Sequence, residues 1–137
     1  MTHRTISLCA ALCALLATGL VTRTAAAGDD PSIKGKLRGQ VQSAMREYVR
    51  DQTTAGRVPL YDPVEGRLLS LEFESLHSGI VHKGDFYVSC ADFIDQDGRK
   101  IDVDFLVLPD DQGDLRATQG IVHSVDGKKR EYHLESQ

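Results

Sequence analysis

From Leu69 onward the apolar residues of this chain recur at every second position, and the runs are cut by Asp-Gly pairs. Leu69, Leu71 and Phe73 alternate with Ser70, Glu72 and Glu74. Phe86, Val88 and Cys90 alternate with Tyr87, Ser89 and Ala91, and Ile101, Val103, Phe105 and Val107 alternate with Asp102, Asp104, Leu106 and Leu108. A period of two marks strands with one side buried. Asp97-Gly98 and Asp126-Gly127 read as two-residue type I′ turns, Asp110 to Gly113 as a looser turn, and Asp62 to Gly66 as the lead into the first long strand.

Turn position sets register, and register decides which side chains share a face. A two-residue turn at Asp97-Gly98 sets Ile94 against Ile101, Asp92 against Val103, Cys90 against Phe105 and Val88 against Val107. A loop over residues 78 to 81 sets Phe73 against Phe86, Leu71 against Val88 and Leu69 against Cys90. The turn at Asp126-Gly127 sets Ile121 against Tyr132 and Gln119 against Leu134. The apolar sides agree throughout apart from Asp92, which predicts a meander of about five antiparallel strands. Its other face, carrying Ser70, Glu72, Glu74, Ser89, Asp102, Asp104 and Thr118, is expected to meet water.

Ahead of the strands the period is helical. Ile33, Leu37, Val41, Ala44, Met45, Tyr48 and Val49 form one stripe, with Lys34, Lys36, Arg38, Gln42, Arg46 and Arg50 outside it. Asp30-Pro31 supplies an N-cap and a proline for the first turn, and Gly56 and Pro59 close the other end. One long helix laid on the buried face of an antiparallel meander gives an α+β domain.

Residues 1–27 read as a secretory signal peptide: His3 and Arg4, an apolar run from Ile6 to Val21, and Ala25-Ala26-Ala27 as the cleavage site. The run is shorter than the roughly 20 residues a spanning helix needs, so no membrane span is expected after cleavage. The domain then covers residues 28–137, with 14 Lys and Arg against 20 Asp and Glu, a net charge of −6. That balance argues against nucleic acid and anionic lipid as partners. Of three cysteines, Cys9 and Cys13 leave with the signal, so Cys90 has no intramolecular disulfide partner.

The stretch CADFIDQDGRKIDVDF, residues 90 to 105, is rich in carboxylates but lacks the third early ligand and the distal glutamate of a calcium-binding EF-hand loop. For Cys90 to act as a nucleophile it needs a histidine in reach. On an extended strand His82 lies roughly 26 Å away, with His77 beside it. His77 and His82 are expected to face each other across the strand ends and to be the residues for any metal handling. Asp92 and His123, with Tyr48, are the residues for a small-molecule or weakly catalytic site at one end of the sheet. Neither grouping assigns a catalytic, cofactor-binding or metal-ligating residue, and no cofactor is implied.

The helix-then-meander order resembles the cystatin-like layout. The string from His77 through CADFIDQDGRKIDVDF, with VHSVDGKKREY at residues 122 to 132, is similar to a group of small exported bacterial proteins of uncharacterised function. Cystatin-type protease inhibitors carry a Q-x-V-x-G loop and a tryptophan. This chain has no Trp, and its nearest fragment is TQGIV at Thr118 to Val122, so inhibition is not implied. NTF2-like enzymes share a curved sheet but close a pocket with further helices. The expectation is an exported, periplasmic or secreted, non-enzymatic binding domain, engaging a protein through the acidic face of Glu72, Glu74, Asp102 and Asp104 or through an edge strand.

Overall fold

A computed structural model describes residues 28–132. The expected signal peptide, residues 1–27, and the expected partner Leu134 lie outside the described residues. One helix, α1 (Gly35–Gln52), precedes strands β1 (Val58–Asp62), β2 (Arg67–Lys83), β3 (Phe86–Ile94), β4 (Lys100–Pro109), β5 (Leu115–Val125) and β6 (Lys128–Lys129). All neighbours in the sheet are antiparallel and in sequence order, so the α+β class and the meander stand, with six strands. No helix among the described residues is long and apolar enough to cross a membrane.

The 18-residue helix starts later than its stripe suggests. Gly35 has φ +55°, a left-handed conformation that cannot continue a right-handed helix back to Pro31. Asp30 therefore closes a turn of its own, its Oδ1 accepting from Ser32 N at 2.8 Å and its carbonyl from Ile33 N at 3.0 Å. Val41, Ala44 and Met45 are buried on α1 and join Leu69, Leu71, Phe93, Ile101, Val103, Phe105 and Val107 in one core. Tyr48 meets Phe105 edge-on at 5.4 Å. Each such large apolar side chain contributes about 1.5–3 kcal/mol by leaving water.

Three expected alignments change. At Asp97-Gly98 the loop holds three residues, with Asp95 N donating to Arg99 O at 3.0 Å and Gly98 N to Asp95 O at 3.1 Å. Gly98, at φ +79°, takes the left-handed position of a type I turn followed by a bulge. The cause is Asp95, whose buried carboxylate accepts from the backbone N of Asp97 and of Arg99, both at 2.9 Å, and from Arg99 Nε at 2.8 Å. The extra residue shifts the ladder by one, so Cys90 faces Asp104, Asp92 faces Asp102 and Ser89 faces Phe105. Cys90 and Phe105 consequently lie on opposite faces.

Second, β2 continues past residues 78 to 81, with irregularities in its pairing, and turns at Gly84-Asp85, so Phe73 pairs with Phe93 instead of Phe86. Third, Leu71 and Leu69 pair with Val58 and Leu60 of β1. Pro59, expected only to end the helix, sits in that edge strand, where its missing N–H is tolerated. The Asp126-Gly127 turn is type I′ as read, with φ of +49° and +76°. It pairs Val125 with Lys128 and Ser124 with Lys129, but β6 ends before Tyr132.

Candidate functional site

The core face of β3 and β4 is Ala91, Phe93, Ile101, Val103 and Phe105; the opposite face is where the titratable residues meet. On it Cys90 lies beside Asp104, and Asp92 beside Asp102 with Ser124 next across the sheet. Cys90 and Asp104 are each fully buried, and His123 is nearly so. The acidic residues read as a solvent face therefore divide: Glu72 and Glu74 are exposed, whereas Asp104 is inside.

His77 completes the group. Its Nδ1 is 2.9 Å from Cys90 Sγ, and its Nε2 is 3.1 Å from Asp92 Oδ2. With Nε2–H donating to the Asp92 carboxylate, Nδ1 is the acceptor and faces sulfur. Asp92 also meets Lys100 Nζ at 3.2 Å. One ligand atom from each of His77, Cys90 and Asp102 lies within 4.8 Å of the others.

A bulge in β2 brings His77 there. Leu76 pairs with Ala91 and Ile80 with Ser89, so residues 77 to 79 stand opposite Cys90 alone. Such an excess leaves backbone groups outside the ladder, and buried ones must find partners. Arg38 of α1 donates to the Ser78 carbonyl, Ser89 Oγ donates to Gly79 O at 2.8 Å, and Ile80 N donates to Asp29 Oδ1 at 3.3 Å. Asp30 N donates to Ile80 O at 2.8 Å, and Arg38 also holds Asp29 at 2.9 Å. The segment before α1 thus pins the irregularity that aims His77.

A second pair lies alongside. His123 occupies a bulge of β5, between the pairings Asp102 with Ser124 and Val103 with Val122, and its Nδ1 is 2.7 Å from Asp104 Oδ2. The Tyr132 ring meets His123 edge-on at 6.2 Å. Oδ1 of Asp102, Oδ1 of Asp104 and the Tyr132 hydroxyl are buried with no hydrogen-bond partner among the described residues. Burial pushes the Asp102 carboxyl above its ordinary range; His77 and His123 oppose the rise, while Asp104 and Asp92 add to it. Burial likewise pushes the Tyr132 phenol up, with Asp104 and Asp102 adding. Unsatisfied buried oxygens beside carboxylates of like charge are costly, and a cation relieves both terms.

A recess of about 260 Å³ opens on this face, lined by His77, Asp92, Lys100, Asp102, Ser124 and Lys129. Cys90, fully buried, is not among the lining residues. Of the expected small-molecule trio, Asp92 lines the recess and His123 joins Asp104, both near enough to act electrostatically on Asp102, whereas Tyr48 packs on the core side of the sheet. The expected pair of histidines is also separated, because His82 faces Tyr87 across β3 and stacks on it at 4.8 Å. The contact between His77 and Cys90 was missed because straight-strand arithmetic has no place for two bulges in β2.

Cys90, His77 and Asp92 follow the order of a nucleophile, its base and the group that orients the base. A thiol with no exposed surface, outside the lining of the recess, is not presented to a substrate carbonyl. Metal ligation has no such requirement. Tetrahedral zinc bonds of about 2.3 Å to sulfur and about 2.0 Å to nitrogen set the sulfur–nitrogen edge near 3.5 Å. The trio's spread, from 2.9 Å at the Cys90–His77 contact to within 4.8 Å overall, brackets that edge. Compared with family models, with curated proteins and with solved structures, the chain matches none.

Proposed function

We propose that this chain is an exported binding domain, cystatin-like in layout and not an enzyme, whose ligand is a transition-metal ion, zinc by preference, held by His77, Cys90 and Asp102. The observation that carries the reading is the convergence of an imidazole, a thiol and a carboxylate within 4.8 Å on the face that α1 leaves uncovered. Thiolate with imidazole selects zinc or copper over calcium and magnesium. Asp92, taking the Nε2–H of His77, is the outer carboxylate that metal-binding histidines generally have. Oδ1 of Asp102, an acceptor with no hydrogen-bond partner among the described residues, offers a lone pair to such an ion. Export rests on the reading of residues 1–27 and the acidic mature chain.

Calorimetric titration with zinc tests it. One ion per chain is expected, with Asp92→Asn weakening affinity by about 10- to 100-fold and His77→Ala and Cys90→Ser weakening it further. His82→Ala leaves affinity unchanged. Equal affinity in Cys90→Ser and the parent overturns the reading.

A further inference from the structure

A thiolate and an imidazole serve zinc(II) and copper(I) alike, so Cys90 and His77 do not choose between them. Asp102, gathered with them within 4.8 Å, differs in kind. Its carboxylate is a hard oxygen donor, suited to a divalent ion and of little use to soft, monovalent copper, for which sulfur and nitrogen suffice.

Charge separates the two ions further. Asp92 is met by Lys100 Nζ at 3.2 Å and Asp104 by His123 Nδ1 at 2.7 Å, which leaves the Cys90 thiolate and Asp102 as the two anionic ligands. Together they neutralise zinc(II), whereas copper(I) leaves one negative charge in place. Cys90 and its neighbour across the ladder, Asp104, are fully buried, so that residual charge would sit beside a like charge and out of water, where it is costly. Asp104 and Asp92 already oppose the charge on Asp102, an opposition that a dication offsets and a monocation offsets only in part. Lys129 also lines the recess, but it is exposed and water screens its charge. Resting on the metal reading above, we infer that Asp102 is the specificity-determining residue of the site: its charge and its hard oxygen select zinc(II) over copper(I), and a neutral residue in its place turns the preference toward copper(I). Copper(II) carries the same charge as zinc and is not separated by this means.

The test measures two affinities on the chain from residue 28 onward: zinc in competition with a chromophoric chelator, and copper(I) in competition with bicinchoninate under anaerobic, ascorbate-reduced conditions. Circular dichroism checks that each variant is folded. Asp102→Asn should weaken zinc by about 100-fold or more, the effect of stranding a buried charge, and hold copper(I) within about 3-fold of the parent. Asp102→Ser drops the same charge and should give the same split, so it serves if the asparagine variant does not fold. Asp102→Glu, which keeps charge and oxygen, should keep the parent's preference. Asp92→Asn acts through His77 and should weaken both ions by a similar factor, about 10- to 100-fold. Neutral variants at position 102 that change both affinities by one factor, or neither, overturn this inference, and the metal reading stands if Cys90→Ser still loses zinc. Equal zinc affinity in Cys90→Ser and the parent overturns the metal reading itself.

Discussion

Asp95→Ala is the substitution that most sharply separates this structure from the turn its sequence advertises. The Asp95 side chain is fully buried and accepts three hydrogen bonds, from Asp97 N, Arg99 N and Arg99 Nε. Bonds to a charged group are worth about 1.5–3 kcal/mol each, and removing one partner of a buried ion pair costs about 3–5 kcal/mol. Arg99 keeps its two bonds to Glu65, at 2.8 and 3.0 Å, so it is not stranded, and the lower end applies. We expect a loss of about 3 kcal/mol, or roughly 12–20 °C in Tm for a domain of this size. Asp97→Ala removes only the ion pair with Arg67, whose side chains are 38% and 50% exposed, and should cost less than about 1 kcal/mol. Urea denaturation followed by circular dichroism measures both. The effect of Asp95→Ala has a pH signature. Burial opposes ionisation of Asp95, but the hydrogen bonds from Arg99 and Asp97 outweigh it and hold the carboxyl below its ordinary range. A group with a depressed folded-state pKa stabilises the fold above its unfolded value, about 3.9, and that contribution fades as pH falls through the folded value. The gap between Asp95→Ala and the parent should therefore be full at pH 6 and shrink below about pH 4. An Asp97→Ala loss equal to or larger than that of Asp95→Ala would refute the three-residue loop, and with it the facing of Cys90 and Asp104.

Other substitutions test the packing and the bulge. Phe105→Ala, which removes a buried ring touching Tyr48 and Phe93, should cost about 3–5 kcal/mol; Phe73→Ala, at a residue 37% exposed, should cost less than half of that in the same urea titration. At Gly120 a Cβ would meet Val103 Cγ1 at 3.2 Å, so Gly120→Ala should lower stability by about 1–2 kcal/mol. Arg38→Ala removes the donor to the Ser78 carbonyl and should weaken zinc affinity at unchanged stoichiometry, although Arg38 is not among the proposed ligands.

Where the sequence alternates cleanly the strands follow it. In β4, Ile101, Val103, Phe105 and Val107 are all buried on the core side, as their spacing says, and the Asp126-Gly127 turn sets its hairpin directly. β3 is where reading fails. Phe86, Val88 and Cys90 on one side and Ala91 and Phe93 on the other are all compatible with burial, so periodicity alone cannot choose its face. The choice then falls on the turn, and DQDG holds two overlapping signals. Asp97-Gly98 fits a two-residue hairpin, while Asp95 with Gly98 three residues on fits a type I turn with a following bulge. The buried carboxylate of Asp95 decides for the second. That single residue of slip carries Asp92, Cys90, Asp102 and Asp104 onto one face and creates the site. The bulges at His77 and His123 leave no mark in a pattern of period two, since each adds residues that the pattern cannot place. Gly79 and Ser78, just after His77, are the sole local hint of one.

X-ray absorption at the zinc edge, on the chain from residue 28 onward loaded with one equivalent of zinc, addresses the central claim most directly. The account predicts one sulfur scatterer at about 2.3 Å with nitrogen and oxygen at about 2.0 Å, and loss of the sulfur shell in Cys90→Ser. A zinc shell of nitrogen and oxygen alone in the parent protein would contradict it.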